Sequence, residues 1–161
     1  MIEDTSETLA PAWVKDIHAT VPNNQESLDT VLKTPTLSSM HKKSGKVPIK
    51  FGTPSVDTYL GETTPNEGSS RATGIIINKN KTFTFYTLYG TIGHELTHAI
   101  DYLLGTALKN FRTYYKNNKT TAQDKFEARH EYNAYKWEVK YAPTDLAKQW
   151  YEHYQIKYGW K

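Results

Sequence analysis

The chain has 161 residues, of which 37% are hydrophobic and 13% aromatic. This length and composition predict one folded domain spanning residues 1–161 and exclude a mainly disordered chain. The formal net charge is only +3, and the lysines are spread along the chain, so the charge gives little support for nucleic-acid binding. Because the chain has no cysteine, disulfides and thiolate metal sites are excluded, and a bound metal must use imidazole and carboxylate ligands.

The sequence shows no signal for a membrane. No segment approaches the roughly 20 consecutive apolar residues of a membrane span, and the acidic N-terminus lacks the basic and apolar parts of a secretory leader. We therefore expect no membrane association and a cytoplasmic protein, or a secreted one if a leader has been removed. No pattern indicates an oligomeric state.

The N-terminal half carries few periodic patterns. Apolar residues scattered over 1–32 are compatible with one or two short helices. Prolines, glycines and threonines make 33–70 a predicted loop region around a short strand at 47–51. The β-branched run at 73–78 predicts a second strand, either an edge strand that aligns an extended peptide or an internal strand.

The C-terminal half shows helical spacing of apolar residues throughout. The first predicted helix covers residues 86–104 and stops at Gly105, and the second covers 107–115. A long third helix is predicted to begin near Thr121, and a last amphipathic helix follows Pro143.

The motif His94-Glu95-Leu96-Thr97-His98 lies on the first of these helices. Histidines four residues apart project from one helix face, so His94 and His98 can bind one Zn²⁺ ion together. Glu95 is placed to take a proton from the attacking water and pass it to the leaving amine. The motif therefore predicts zinc-dependent hydrolysis of a peptide bond, with Glu95 as the catalytic residue.

A zinc peptidase needs a third protein ligand, which leaves the fourth position for water. One large class places a histidine or aspartate at the position that Leu104 occupies here. The remaining candidates lie on the long third helix, where Glu127 and Glu131 are one turn apart on the same face. One of these two glutamates should complete the site.

The stretch from Glu131 to Trp137, with Pro143 shortly after it, resembles the E-x-x-A-x-x-[aromatic] signature of the ImmA/IrrE family of metallopeptidases, in which it follows H-E-x-x-H. The resemblance covers about a third of the chain and implies that Glu131 is the third ligand. The family usually carries Asn or Asp one turn later, where this chain has Tyr135. In the alternative register, Glu127 is the ligand and Glu131, one turn later, belongs to the shell of residues around the ligands. This arrangement is similar to that of thermolysin-type and lethal-factor-type peptidases.

Residues near the motif add further candidates. The pair His98 and Asp101 is similar to the lethal-factor type, and Asp101 could either orient a ligand imidazole or be a solvated charge. His130 lies on an apolar stripe, which is more typical of a core histidine than of a ligand. Three side chains could stabilise an oxyanion, with core packing as the alternative for each: Tyr132, Tyr135 and His153.

These patterns together predict an α+β fold of the zincin kind, in which a small twisted sheet packs on the motif helix and a further helix delivers the third ligand. The leading function is a zinc endopeptidase acting on a protein or peptide substrate, and the resemblance suggests a regulatory protein such as a repressor. One alternative is a secreted or injected effector protease of the lethal-factor type. Another is a catalytically silent module that keeps the metal for structure and binds a partner.

Overall fold

The computed structural model describes residues 16–161, so the predictions for residues 1–15 lie outside the described part. The strands are β1 Thr20–Val21, β2 Ile49–Gly52, β3 Gly61–Pro65, β4 Ala72–Asn78 and β5 Phe83–Thr84. The helices are α1 Gln25–Val31, α2 Pro35–Lys43, α3 Phe85–Leu103, α4 Thr106–Asn117, α5 Ala122–Tyr141 and α6 Asp145–Tyr158. The architecture is α+β, and no helix between residues 16 and 161 is both long and apolar enough to cross a membrane.

Three of the strands form a sheet in the order β2, β4, β3. β4 runs parallel to β2, with Ile49 opposite Ile75, and antiparallel to β3, with Thr63 opposite Ile75. The predicted strand at 73–78 is therefore the central strand, and its interpretation as an edge strand is wrong. The strand at the edge beside the motif helix is β3.

The prediction of a loop region over residues 33–70 is wrong at two places. Helix α2 begins with Pro35 in its first turn, a position where the fixed φ of proline favours a helix start. Strand β3 has the sequence Gly-Glu-Thr-Thr-Pro, which lacks the alternating apolar residues that identify a half-buried strand. Its pairing with β4 and its packing on α3 stabilise β3, and neither is encoded locally in the strand.

Helix α3 is the core element of the fold. Its N-terminus is closed by a reciprocal capping box between Thr84 and Thr87, and its apolar face buries Leu88, Ile92 and Leu96 completely. These side chains join one hydrophobic cluster with β2, β4, α1 and α2. The motif helix is thus held rigidly on one side, which leaves its other side to the functional residues.

Helix α5 crosses α3 at very short range. A Cβ atom added to Gly93 would lie 1.9 Å from the Trp137 ring, so the absence of a side chain at Gly93 allows the indole to lie directly on the α3 backbone. The Trp137 ring also stacks on Tyr89 at 5.9 Å and on Tyr141 at 5.2 Å. This contact sets the distance between the motif histidines and the glutamates of α5.

Candidate metal centre

The described structure brings three of the predicted ligands together. His94 and His98 point their Nε2 atoms from α3 towards α5, where the Glu131 carboxylate lies between them. Glu131 Oε2 is 3.1 Å from His94 Nε2, and Glu131 Oε1 is 3.2 Å from His98 Nε2. One donor atom from each residue lies within 4.8 Å of the others, close enough for a single metal ion to reach all three.

Glu127 lies one turn before Glu131 and is not a member of this group. Its carboxylate accepts a hydrogen bond of 2.6 Å from the Gln123 amide on the same helix. The Glu127 side chain is exposed, whereas Glu131 is half-buried and faces the buried rings of His94 and His98. Geometry therefore favours Glu131 over Glu127 as the third ligand.

Glu138 supplies a contact that was not predicted from the sequence. Its Oε1 atom lies 2.5 Å from His94 Nδ1, the ring nitrogen that faces away from Glu131. A carboxylate on Nδ1 holds the proton there and leaves Nε2 free to bind a metal. Glu138 follows Glu131 by seven residues, two helical turns on the same face, and this spacing is the sequence signal for it.

The charges of these groups are strongly coupled. Burial lowers the pKa of His94, but the hydrogen bonds that its ring donates to the Glu131 and Glu138 carboxylates outweigh burial and hold this pKa well above its usual value. Burial raises the pKa of Glu131, but His98 and His94 outweigh it and hold this pKa far below its usual value. Glu131 is therefore an anion at neutral pH, as a carboxylate ligand must be.

The donor set fits a zinc ion. Two imidazole nitrogens and one carboxylate oxygen are the three protein ligands of a common class of catalytic zinc sites, which keep a fourth position open. The Nδ1 atom of His98 is buried and has no hydrogen-bond partner within residues 16–161. His98 is thus positioned by packing, whereas His94 is positioned by a carboxylate.

Glu95 is not a member of the ligand group, and strand β3 positions it. The Thr63 hydroxyl lies 2.6 Å from Glu95 Oε2 and 3.0 Å from the backbone oxygen of Glu95. A Cβ atom at Gly61 would lie 2.8 Å from Glu95 Cγ, so a glycine there lets the edge strand lie against this side chain. Sequence reasoning missed Thr63, because its contact with Glu95 spans 32 residues.

Asp101 and His130 lie beside the ligands without joining them. The Asp101 carboxylate accepts a hydrogen bond of 3.1 Å from the Asn133 amide and is 3.8 Å from His130 Nδ1. The His130 ring stacks on His98, with centroids 4.0 Å apart. Burial and the charge of His98 lower the pKa of His130 to about 2, so this ring is neutral where it stacks on His98.

An open cleft of about 1200 Å³ lies over the ligands. One side of it is formed by β3 and the residues before it, and the other by α4, α5 and α6. Tyr135 lines this cleft, and its ring meets the His94 ring edge-on at 4.9 Å. Burial raises the pKa of Tyr135, and Glu131 and Glu138 raise it further, so its hydroxyl stays protonated at neutral pH.

The other two oxyanion candidates lie elsewhere. Tyr132 is fully buried between α5 and α6, where its ring stacks on Tyr151 at 5.2 Å. His153 is exposed on α6 and lines a shallower groove next to the cleft. Of the three, the structure brings only Tyr135 into the cleft that holds His94.

The comparisons with known proteins do not show a family for this chain. Comparisons with protein-family models, with curated proteins and with solved structures give no match to the chain. Its function is therefore inferred from the residues themselves.

Proposed function

We propose that this protein is a zinc-dependent peptidase with a zincin-like site that hydrolyses a peptide bond in a protein substrate. The observation that carries the proposal is the convergence of His94, His98 and Glu131, with Glu95 held beside them by the edge strand. The resemblance to the ImmA/IrrE family supports the same reading and suggests a regulatory protein as the substrate.

His94, His98 and Glu131 would hold the zinc ion. When bound, the ion would polarise the scissile carbonyl and acidify a water molecule. Glu138 would keep the proton of His94 on Nδ1, so that Nε2 remains a ligand. No other metal-ligating group of this kind occurs among residues 16–161.

Glu95 would act as the general base and then as the general acid. Its carboxylate accepts the proton of the attacking water and later donates it to the leaving amine. The Thr63 hydroxyl, 2.6 Å from Oε2, orients the carboxylate for this exchange. Tyr135 lines the cleft, and its protonated hydroxyl would donate a hydrogen bond to the carbonyl oxygen as that oxygen gains charge.

Strand β3 supports a polypeptide as the substrate. It pairs with β4 on one side, and none of the strands within residues 16–161 pairs with its other edge. Gly61 and Thr63 of this strand line the cleft. An extended peptide could therefore add to the sheet by main-chain hydrogen bonds, which would align its backbone above Glu95.

The test combines metal content with cleavage. Zinc per chain is measured in wild type, His98→Ala and Glu95→Gln after the same zinc loading and dialysis, and each protein is assayed on a quenched random peptide library. We expect one zinc in wild type and Glu95→Gln, loss of zinc in His98→Ala, and cleavage by wild type alone. Zinc binding without cleavage by wild type would favour a metal-stabilised binding module, and cleavage that survives in Glu95→Gln would exclude the mechanism.

A further inference from the structure

The charge of the cleft is opposite to that of the whole chain. Lysine and arginine outnumber aspartate and glutamate in the sequence by 20 to 17. Among residues 16–161, however, no lysine or arginine lines the cleft, whereas these glutamates do: Glu62, Glu95, Glu127, Glu131 and Glu138. A cleft lined by one sign of charge concentrates ligands of the opposite sign.

Most of these carboxylates already have a role. Glu131 and Glu138 face the ring nitrogens of His94, and Glu95 accepts from Thr63. Glu62 accepts a hydrogen bond of 2.7 Å from the backbone amide of Ser55. Glu127 is the remaining carboxylate of the lining, and its role is open.

Glu127 has no cationic partner. Its carboxylate accepts a hydrogen bond from the neutral Gln123 amide, and no lysine, arginine or histidine within residues 16–161 forms an ion pair with it. Glu127 lines the cleft and also the adjoining groove, which Lys157 lines as well.

An aromatic wall lines the same cleft as Glu127, which follows Phe126 on α5. The rings of Phe111 and Phe126 meet edge-on at 5.7 Å, and Phe126 stacks on His130 at 5.6 Å. His130 in turn stacks on the proposed ligand His98. The wall therefore runs without interruption from α4 to the metal centre.

This combination matches one kind of side chain. Lysine and arginine have long apolar stems that pack on rings and charged heads that pair with a carboxylate. The Phe111 and Phe126 rings fit the stem, and Glu127 fits the head. A purely apolar side chain would use the rings but not the carboxylate.

We infer that the part of the cleft lined by Phe111, Phe126 and Glu127 is a specificity subsite for a lysine or arginine side chain of the substrate, with Glu127 as the pairing carboxylate. The inference rests on the proposed peptidase function and names the class of sequence that is cut. Substrates would carry a basic residue within a few positions of the scissile bond, on the side of His98 and His130.

The test measures selectivity rather than activity alone. Cleavage sites are first located in the random library by mass spectrometry. Quenched peptides are then made with lysine or norleucine at each of three positions on either side of the scissile bond. At one position, kcat/KM for lysine should exceed that for norleucine by roughly tenfold in wild type, a modest ratio because Glu127 is partly solvated. The ratio should fall close to one in Glu127→Gln, and Glu127→Lys should prefer glutamate to norleucine there.

Glu152→Gln is the matched control, because Glu152 is an exposed carboxylate of α6 that does not line the cleft. This variant should keep the wild-type ratio. Cleavage without a basic preference, or a preference unchanged in both Glu127 variants, would overturn the subsite and leave the peptidase function standing. Failure of zinc-loaded wild type to cleave any peptide would overturn the proposed function and the subsite with it.

Discussion

The Trp137 indole lies on the backbone of Gly93, where an added Cβ atom would be 1.9 Å from the ring. Gly93 precedes the first motif histidine, and Trp137 lies one residue before Glu138 on α5. The contact therefore fixes how far the glutamates of α5 stand from the imidazoles of α3. This distance decides whether a single ion can reach both helices.

Gly93→Ala should separate the two helices and damage both the fold and the site. Overpacking of this kind typically costs about 1–3 kcal/mol of unfolding free energy, measured by urea denaturation. Zinc affinity, measured by competition with a chelating dye, should fall as well. Gly90→Ala is the control, because its Cβ would lie 3.4 Å from Ala142 Cβ, an ordinary contact. Equal behaviour of the two variants would mean that the Trp137 contact does not set the spacing.

Glu138 should matter more for zinc than Asp101. Removing a carboxylate that orients a metal-ligating histidine usually weakens metal binding by roughly 10- to 100-fold. We expect a loss of this size in Glu138→Ala, because Glu138 contacts His94 Nδ1 directly. Asp101→Asn should cause a much smaller loss of zinc affinity, because Asp101 accepts a hydrogen bond from Asn133 and none from a ligand ring. Zinc competition titrations of both variants measure the difference, and the reverse order would make Asp101 the orienting carboxylate.

Glu131→Ala should abolish stoichiometric zinc binding, and Glu127→Ala should retain it. The reason is geometric, since Glu131 lies 3.1 and 3.2 Å from the two imidazoles and Glu127 is not a member of the group. Elemental analysis of dialysed protein gives the zinc content per chain. Retention by Glu131→Ala and loss by Glu127→Ala would assign the ligand to Glu127.

Much of the C-terminal half could be predicted from the sequence. The helix predicted at 86–104 is observed as α3, Phe85–Leu103, and the one predicted at 107–115 is α4, Thr106–Asn117. The apolar residues of α3 at helical spacing face the core, so the local pattern and the tertiary packing agree there, whereas α4 buries only Ala107. Strand β3 could not be found in this way, because its polar sequence reflects contacts with α3 and with solvent.

The site residues also differ in how far they could be predicted: those that are close in sequence could be, and those brought together only by the fold could not. His94, Glu95 and His98 are local neighbours on one helix, so their spacing alone indicates their chemistry. The choice of the third ligand could be narrowed to Glu127 and Glu131, because both lie on one face of α5. Thr63 could not be predicted, since its contact with Glu95 depends on how an edge strand crosses the helix.

Thr63→Val should slow catalysis without loss of zinc. The variant removes the hydroxyl that contacts Glu95 but keeps a similar shape and the strand conformation. Loss of one hydrogen bond to a charged group corresponds to a decrease in kcat of roughly 10- to 100-fold. Thr63→Ser keeps the hydroxyl and should stay close to wild type. Steady-state kinetics with zinc content determined in parallel measure the effect, and equal rates for the Val and Ser variants would exclude a positioning role for the hydroxyl.

Tyr135→Phe should reduce kcat by roughly 10²-fold with zinc content unchanged, if the phenol donates to the developing oxyanion. Burial, followed by the charges of Glu131 and Glu138, raises the pKa of Tyr135. Ionisation would remove the donor as pH rises, and a raised pKa moves that loss to higher pH. The ratio of wild-type to variant kcat should therefore stay constant from pH 7 to about pH 10, near the usual tyrosine value. Tyr132→Phe is the control, because Tyr132 packs against Tyr151 away from the cleft. A ratio near one at pH 7, or one that collapses well below pH 10, would contradict the role of Tyr135 as a donor.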